Sequence, residues 1–128
     1  MESKSENDIS YIIRGAIFKV YNELGPGLLE SVYEAVLCFE LQKQRLSIKR
    51  QVPLPIIYED VKLQIGFRLD VLVNNKVIIA IKSVEKIEKV HHKQILTYLK
   101  LTGLKLGILV NFNVDNITEG IFRKVNGL

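Results

Sequence analysis

The sequence predicts a mixed α/β fold, a central β-sheet flanked by α-helices, on three observations. Apolar residues recur at helical spacing through the first third of the chain. The middle then switches to short runs rich in Ile, Val, Leu, Tyr and Phe, and a further helical stretch is succeeded by one near-continuous apolar segment. Helices and strands interleaved in this way pack as layers of helix on sheet.

In chain order, residues 1–8 lack periodicity and read as a flexible tail, with Asn7, Asp8 or Ser10 available to cap the first helix. Over residues 9–24, Ile9, Ile12, Ile13, Ala16, Ile17, Val20 and Leu24 fall three and four apart, the stripe of an amphipathic helix. Gly25-Pro26-Gly27 ends it, because Pro26 removes a backbone donor and both glycines are free to take positive φ. A second helix starts near Leu28, carries Leu29, Val32, Tyr33, Val36, Leu37 and Leu41, and ends around residues 44–46. Strands are expected over residues 47–52, 53–58, 62–73 and 76–82, with Glu59-Asp60 and Asn74-Asn75 as hairpin turns. Helical spacing returns over residues 86–101, with Gly103 placed as the C-terminal cap. Residues 104–112 read as a strand buried on both faces, and residues 115–128 as a short helix or an edge strand.

The 128 residues, 48% hydrophobic and 25% charged, are expected to form a single domain over 1–128. A chain of this length removes roughly 65–70% of its unfolded surface from water, enough for a core without covalent staples. The longest hydrophobic runs, residues 35–39 and 77–81, fall far short of a membrane span, and the first ten residues are polar and acidic. Neither a transmembrane helix nor a signal peptide is therefore expected. Cys38 has no cysteine partner, and together with His91 and His92 it makes too small a set for structural zinc. A reducing cytoplasm is the expected compartment. An excess of 18 Lys and Arg over 14 Asp and Glu permits a polyanionic partner. No G-x-x-x-x-G-K-[ST] motif is present, and Gly25-Pro26-Gly27 lies between helices rather than after a strand.

Charged residues inside apolar strands are the informative ones, since burial demands a partner or a function. Asp70 lies between Leu69 and Val71, and Lys82 comes directly after Ile79-Ala80-Ile81. On spacing alone a structural ion pair, or strand ends reaching solvent, is the favoured account of both. Gln94 and Tyr98 lie four apart on one helical face, with His91 three residues before Gln94. Lys86, Lys89, Lys93 and Lys100 fall on a second stripe within about 60° of arc, which suits a phosphate backbone or simply solvates the helix. Cys38 reads as a small core residue, Arg68 as a partner of Asp70 or Glu30, and Tyr33 as a core ring with its hydroxyl bonded near the site.

Five segments carry a resemblance in a fixed order: Gly27-Leu28-Leu29-Glu30-Ser31-Val32-Tyr33, then Arg68-Leu69-Asp70, then Lys82, then His91-His92-Lys93-Gln94 with Tyr98-Leu99, and finally Asn111-Phe112. Over about residues 25–112 the chain resembles the GxxExxY protein family, a branch of the PD-(D/E)XK nuclease-like superfamily. The resemblance implies a restriction-endonuclease-like core that hydrolyses nucleic-acid phosphodiesters, DNA or RNA, with Mg²⁺ or Mn²⁺. By the same resemblance Glu30 and Asp70 are metal ligands. Lys82 orients the attacking water or supplies transition-state charge, and Gln94 and Tyr98 position substrate or the lysine. Phosphodiester hydrolysis uses hard oxygen ligands, a polarised water and positive charge where the phosphorane develops. The lysines at 86, 89, 93 and 100 are the expected nucleic-acid contacts, and cutting both strands of a duplex in one encounter calls for a homodimer.

The departure falls at the acid of the family's E-x-K strand, where this chain reads Ala80-Ile81-Lys82. A methyl group coordinates no metal, and losing a group that activates the nucleophile costs ~10²–10⁴ in rate. The chain is accordingly expected to be impaired or inactive. Ala80 reads as an introduced silencing change, as a loss made good by Glu30 or Glu85, or as natural decay. Decay would leave a non-catalytic module that binds nucleic acid or protein through the lysine stripe and a vestigial cleft. A protein partner predicts a large exposed apolar patch, and the sequence shows no clear one.

The hairpin between the two central strands offers a geometric test, because side chains alternate faces along each strand. A two-residue Asn74-Asn75 loop pairs Val73 with Lys76 and turns Asp70 away from Lys82. A three-residue loop pairs Val73 with Val77 and sets Asp70 opposite Ala80, on the Lys82 face. The nuclease reading predicts the second, or a bulge.

Overall fold

The computed structural model describes residues 3–63 and 66–128. In chain order the elements are α1 (Glu6–Leu24), α2 (Glu30–Lys43), β1 (Ile48–Pro53), β2 (Ile56–Tyr58), β3 (Val61–Leu63), β4 (Arg68–Val73), β5 (Val77–Lys82), α3 (Lys89–Thr102), β6 (Leu106–Asn111), a 3₁₀ turn (Ile117–Gly120) and β7 (Ile121–Val125). Five strands form one mixed sheet in the order β1-β4-β5-β6-β7. Every neighbouring pair is antiparallel except β5 and β6, which are parallel and joined by the α3 crossover. This is the α/β sheet between helices that the alternation of periods predicts, in the arrangement of a restriction-endonuclease-like core.

The helical stripes explain which face each helix covers. Ile9, Ile13 and Ile17 of α1 and Leu37 and Leu41 of α2 are fully buried against Val71, Val73, Val77 and Ile79 of the central strands. On the opposite face Ile95, Tyr98 and Leu99 of α3 cover Leu69, Ile78, Ala80 and Leu109. Sandwiched between the two layers, β6 is buried at every position, as its apolar run predicts. No helix among the described residues is long and apolar enough to cross a membrane.

Several boundaries differ from the sequence expectation. Residues 6–8 are helix rather than tail, because Ser5 and Asp8 form a reciprocal capping box, each accepting the other's backbone amide at 3.1 Å. Ser5, and not Asn7, Asp8 or Ser10, is the cap. The strand expected over residues 62–73 is two strands in two sheets. Among the described residues Val61–Leu63 pairs with Ile56–Tyr58 alone, whereas Arg68–Val73 joins the main sheet. Residues 64 and 65 of that expected strand lie outside the described residues. The tight Glu59-Asp60 turn, at φ +50° and +64°, closes the small hairpin locally, so it stands as an excursion between the adjacent strands β1 and β4. Helix α3 starts at Lys89, leaving Lys86 in the preceding loop, and ends as expected on left-handed Gly103. The final segment contains both alternatives, a 3₁₀ turn and an edge strand.

Candidate active site

The turn between β4 and β5 decides the site. Asn74 and Asn75 both take left-handed backbone, at φ +52° and +53°, and Lys76 completes a three-residue loop that pairs Val73 with Val77. The pairing runs through Leu72 with Ile78 to Val71 with Ile79, where the ladder ends; continued by one residue, the same register places Asp70 on the side of Ala80, and both line one cleft.

Beyond Val71 the strand changes character. Val71 and Val73 pack into the core under α1 and α2, yet Leu69, two residues away, packs with Ile78 and Leu99 on the other face. Side chains two apart on a regular strand share a face, so β4 rotates at Asp70. Across on β1, between the pairs Arg50–Val71 and Val52–Leu69, Gln51 holds φ +52°, a left-handed conformation in mid-strand. The Asp70 carboxylate reaches over to accept the Ile81 amide at 2.8 Å.

The outcome is a cleft of about 350 Å³ whose walls include Asp70, Ala80, Lys82, Gln94 and Tyr98, five of the residues expected in the site. Sequence reasoning missed Gln51 and Phe67 there and gave Arg68 another role. Arg68 donates to the Gln51 carbonyl at 3.4 Å rather than pairing with Asp70 or Glu30. Burial holds the Asp70 carboxyl above the usual carboxylate range; the Ile81 amide and the Lys82 charge pull it back, and repulsion from Glu34 and Glu30 raises it further. Burial, and then the charge of Asp70, likewise raise the Tyr98 hydroxyl.

The glycine-to-tyrosine motif builds a clamp at the end of β5. Gly27 adopts φ +94°, and the Tyr33 hydroxyl donates to the Gly25 carbonyl at 2.5 Å while accepting the Leu28 amide at 3.2 Å. The Tyr33 ring is fully buried and stacks on Phe112, with centroids 4.3 Å apart. Ser83, the residue after Lys82, donates its hydroxyl to the Leu28 carbonyl at 2.5 Å and its amide to Glu30 at 3.3 Å. Buried Asn111 bonds both backbone groups of Val84, and the Phe112 amide donates to the Lys82 carbonyl at 3.0 Å. These contacts fix the chain on either side of Lys82. Glu30 therefore stands beside the end of β5, but it is not among the residues lining the cleft.

One helical turn after Glu30, Glu34 accepts the Arg50 Nε at 3.0 Å and the Gln51 side-chain amide at 2.7 Å, fixing β1 where its backbone is left-handed. Its signal was present in the sequence: an acid three residues before Leu37 and seven before Leu41, on the apolar stripe of α2.

Other expected positions fall elsewhere. His91 accepts the Glu88 amide at 2.9 Å and caps α3 instead of facing the cleft with Gln94 and Tyr98. Glu85 is exposed in a separate depression with Lys86 and His91, so it does not replace the acid missing at position 80. Lys89, Lys93 and Lys100 are exposed along α3, while Lys86 precedes the helix, which shortens the expected stripe to three. Burial pushes the Cys38 thiol up to about 11, in keeping with a core residue.

A hard divalent cation is held by several oxygens converging on one point. Here Asp70 already accepts the Ile81 amide, Glu30 accepts that of Ser83, and Ala80 supplies no side-chain oxygen. Among the described residues no group of three or more His, Cys, Asp or Glu side chains is placed to hold a metal. The donor set is incomplete at position 80.

No curated protein and no solved structure matches the chain. A family model does: that of the PD-(D/E)XK nuclease superfamily matches residues 7–124, from the first turn of α1 into β7. Since the match takes in all but the last residue of the five-stranded sheet, both helical layers and the cleft between β4, β5 and α3, the chain belongs to the PD-(D/E)XK nuclease superfamily.

Proposed function

We propose that the chain is by architecture a Mg²⁺- or Mn²⁺-dependent hydrolase of nucleic-acid phosphodiesters, DNA or RNA, and that Ala80 leaves it impaired or inactive. The observation that carries this reading is the β4–β5 register, which supports a common wall for Asp70, position 80 and Lys82 facing Gln94 and Tyr98. Lys82 and Arg68 supply fixed positive charge where a phosphoryl group carries its developing negative charge. Gln94 and Tyr98, one helical turn apart, offer an amide and a hydroxyl to orient the substrate. The exposed lysines of α3 extend the positive surface, and a homodimer would present two such clefts to a duplex.

The incomplete donor set is the specific observation favouring a second reading, a non-catalytic nucleic-acid-binding module. Ala80→Glu separates the two. The hydrolase reading expects metal-dependent cleavage at least ~10²-fold above the parent chain, abolished when Asp70→Asn is added, with calorimetry showing Mg²⁺ or Mn²⁺ taken up by the Ala80→Glu chain alone. Undiminished nucleic-acid binding in EDTA, with no cleavage by either chain, selects the binding module.

A further inference from the structure

A second pocket of about 300 Å³ adjoins the cleft and shares Phe67, Gln94 and Tyr98 with it. Its remaining walls are Ile56 of β2 and Val90, Thr97 and Leu101 of α3, with the exposed amine of Lys93. Val90 is 64% exposed, Leu101 45% and Phe67 41%, so an apolar surface opens to solvent beside the candidate site. The Phe67 ring meets Tyr98 edge-on, with centroids 6.2 Å apart at 65°. That contact fixes the Phe67 ring while much of its surface remains uncovered.

We infer that this pocket takes one unstacked base of a single-stranded nucleic acid whose phosphate lies in the adjoining cleft. The inference rests on the hydrolase reading and deepens it by naming the form of the substrate. Three arguments carry it. A pocket of this size, apolar and walled by an aromatic ring, suits the flat face of a base, and base–aromatic stacking is indifferent to sequence. In a duplex those faces are covered by neighbouring bases, so only an unpaired nucleotide can enter. Among the described residues the charged ones lining the two cavities are Arg68, Lys82 and Lys93 against Asp70, the balance a polyanion seeks. A second copy docked here about a two-fold axis would instead bring a second Lys93 into the same interface with no added acid from this pocket.

The test is fluorescence anisotropy in EDTA with a labelled oligothymidylate of about ten nucleotides. It is compared with the same strand annealed to its complement, an abasic oligomer of equal charge, and the matching oligouridylate. A single strand, deoxyribose or ribose, is expected to bind at least ~10-fold more tightly than duplex or abasic oligomer, and the tighter of the two identifies the sugar. Phe67→Leu keeps the site apolar but removes the ring, and should weaken single-strand binding roughly five- to hundred-fold while leaving abasic binding unchanged. Val90→Glu, at an exposed position that does not endanger folding, should also weaken it. Equal affinity for all oligomers, or indifference to both substitutions, overturns the inference. If binding then still depends on Arg68, the hydrolase reading stands. Sedimentation showing a dimer that Val90→Glu dissolves assigns the surface to a second copy and overturns it equally. Failure to bind any oligomer, in EDTA and again with Mg²⁺ in its place, overturns the hydrolase reading itself.

Discussion

Asp70 sits in the cleft at an energetic disadvantage. Burial raises its pKa, so the protonated carboxyl is more favoured in the folded chain than in the unfolded one. The stabilisation is fully present below the ordinary value of 3.8 and is lost as pH rises through the higher folded value. Asp70→Asn keeps an oxygen for the Ile81 amide and removes the buried charge. It is expected to raise stability at pH 7, with the gain vanishing as the pH falls below the ordinary carboxyl value of 3.8. Thermal melts of both chains across roughly pH 3–7 check the sign. Glu34 is the opposite case, a buried acid whose removal strands its partners. Glu34→Ala leaves the Gln51 amide and the Arg50 guanidinium without their acceptor and should cost about 2–3 kcal/mol in urea unfolding.

Among the elements, α3 and the sheet approach closely at Gly107. A Cβ there would lie 2.9 Å from Ile95 Cδ1 and 3.1 Å from its Cγ1, and Ile95 is itself 1% exposed. The helix lies close over β6 only because that residue has no side chain. Gly107→Ala should therefore cost about 1–3 kcal/mol and move α3, which carries Gln94 and Tyr98. The denaturation midpoint should drop with the m-value unchanged. Ends and turns of elements were legible wherever one residue type answers one local demand. Asn74 and Asn75 supply left-handed backbone, Gly103 a left-handed helix cap, and Gly25-Pro26-Gly27 a break between helices. The split of residues 62–73 was not legible, because membership of one sheet or another depends on which distant strand supplies the hydrogen bonds.

On the scale of the whole molecule, a net charge of +4 gains its meaning from where the lysines stand. Lys89, Lys93 and Lys100 share one exposed stripe of α3, the helix that also lines the cleft. Replacing all three by alanine should weaken nucleic-acid binding. The slope of log K against log salt should fall by about two, measured between roughly 50 and 200 mM, since each phosphate contact on a single strand contributes ~0.7.

By itself the sequence determined the layers, the helices and their buried faces, the turn residues, and an ordered set of motifs that named five residues of the cleft. Those are local signals: a helical or strand period is set within a few residues, and a motif survives as spelling. Only the tertiary structure decided between two- and three-residue loops, a choice that turns Asp70 toward or away from Lys82. It alone showed the kink shared by Asp70 and Gln51, the anchoring of that kink by Glu34, and the tethering of Glu30 to Ser83. Strand faces alternate every residue, so a one-residue change in pairing reverses every side chain. Such pairings are fixed by hydrogen bonds and packing between segments far apart in the chain.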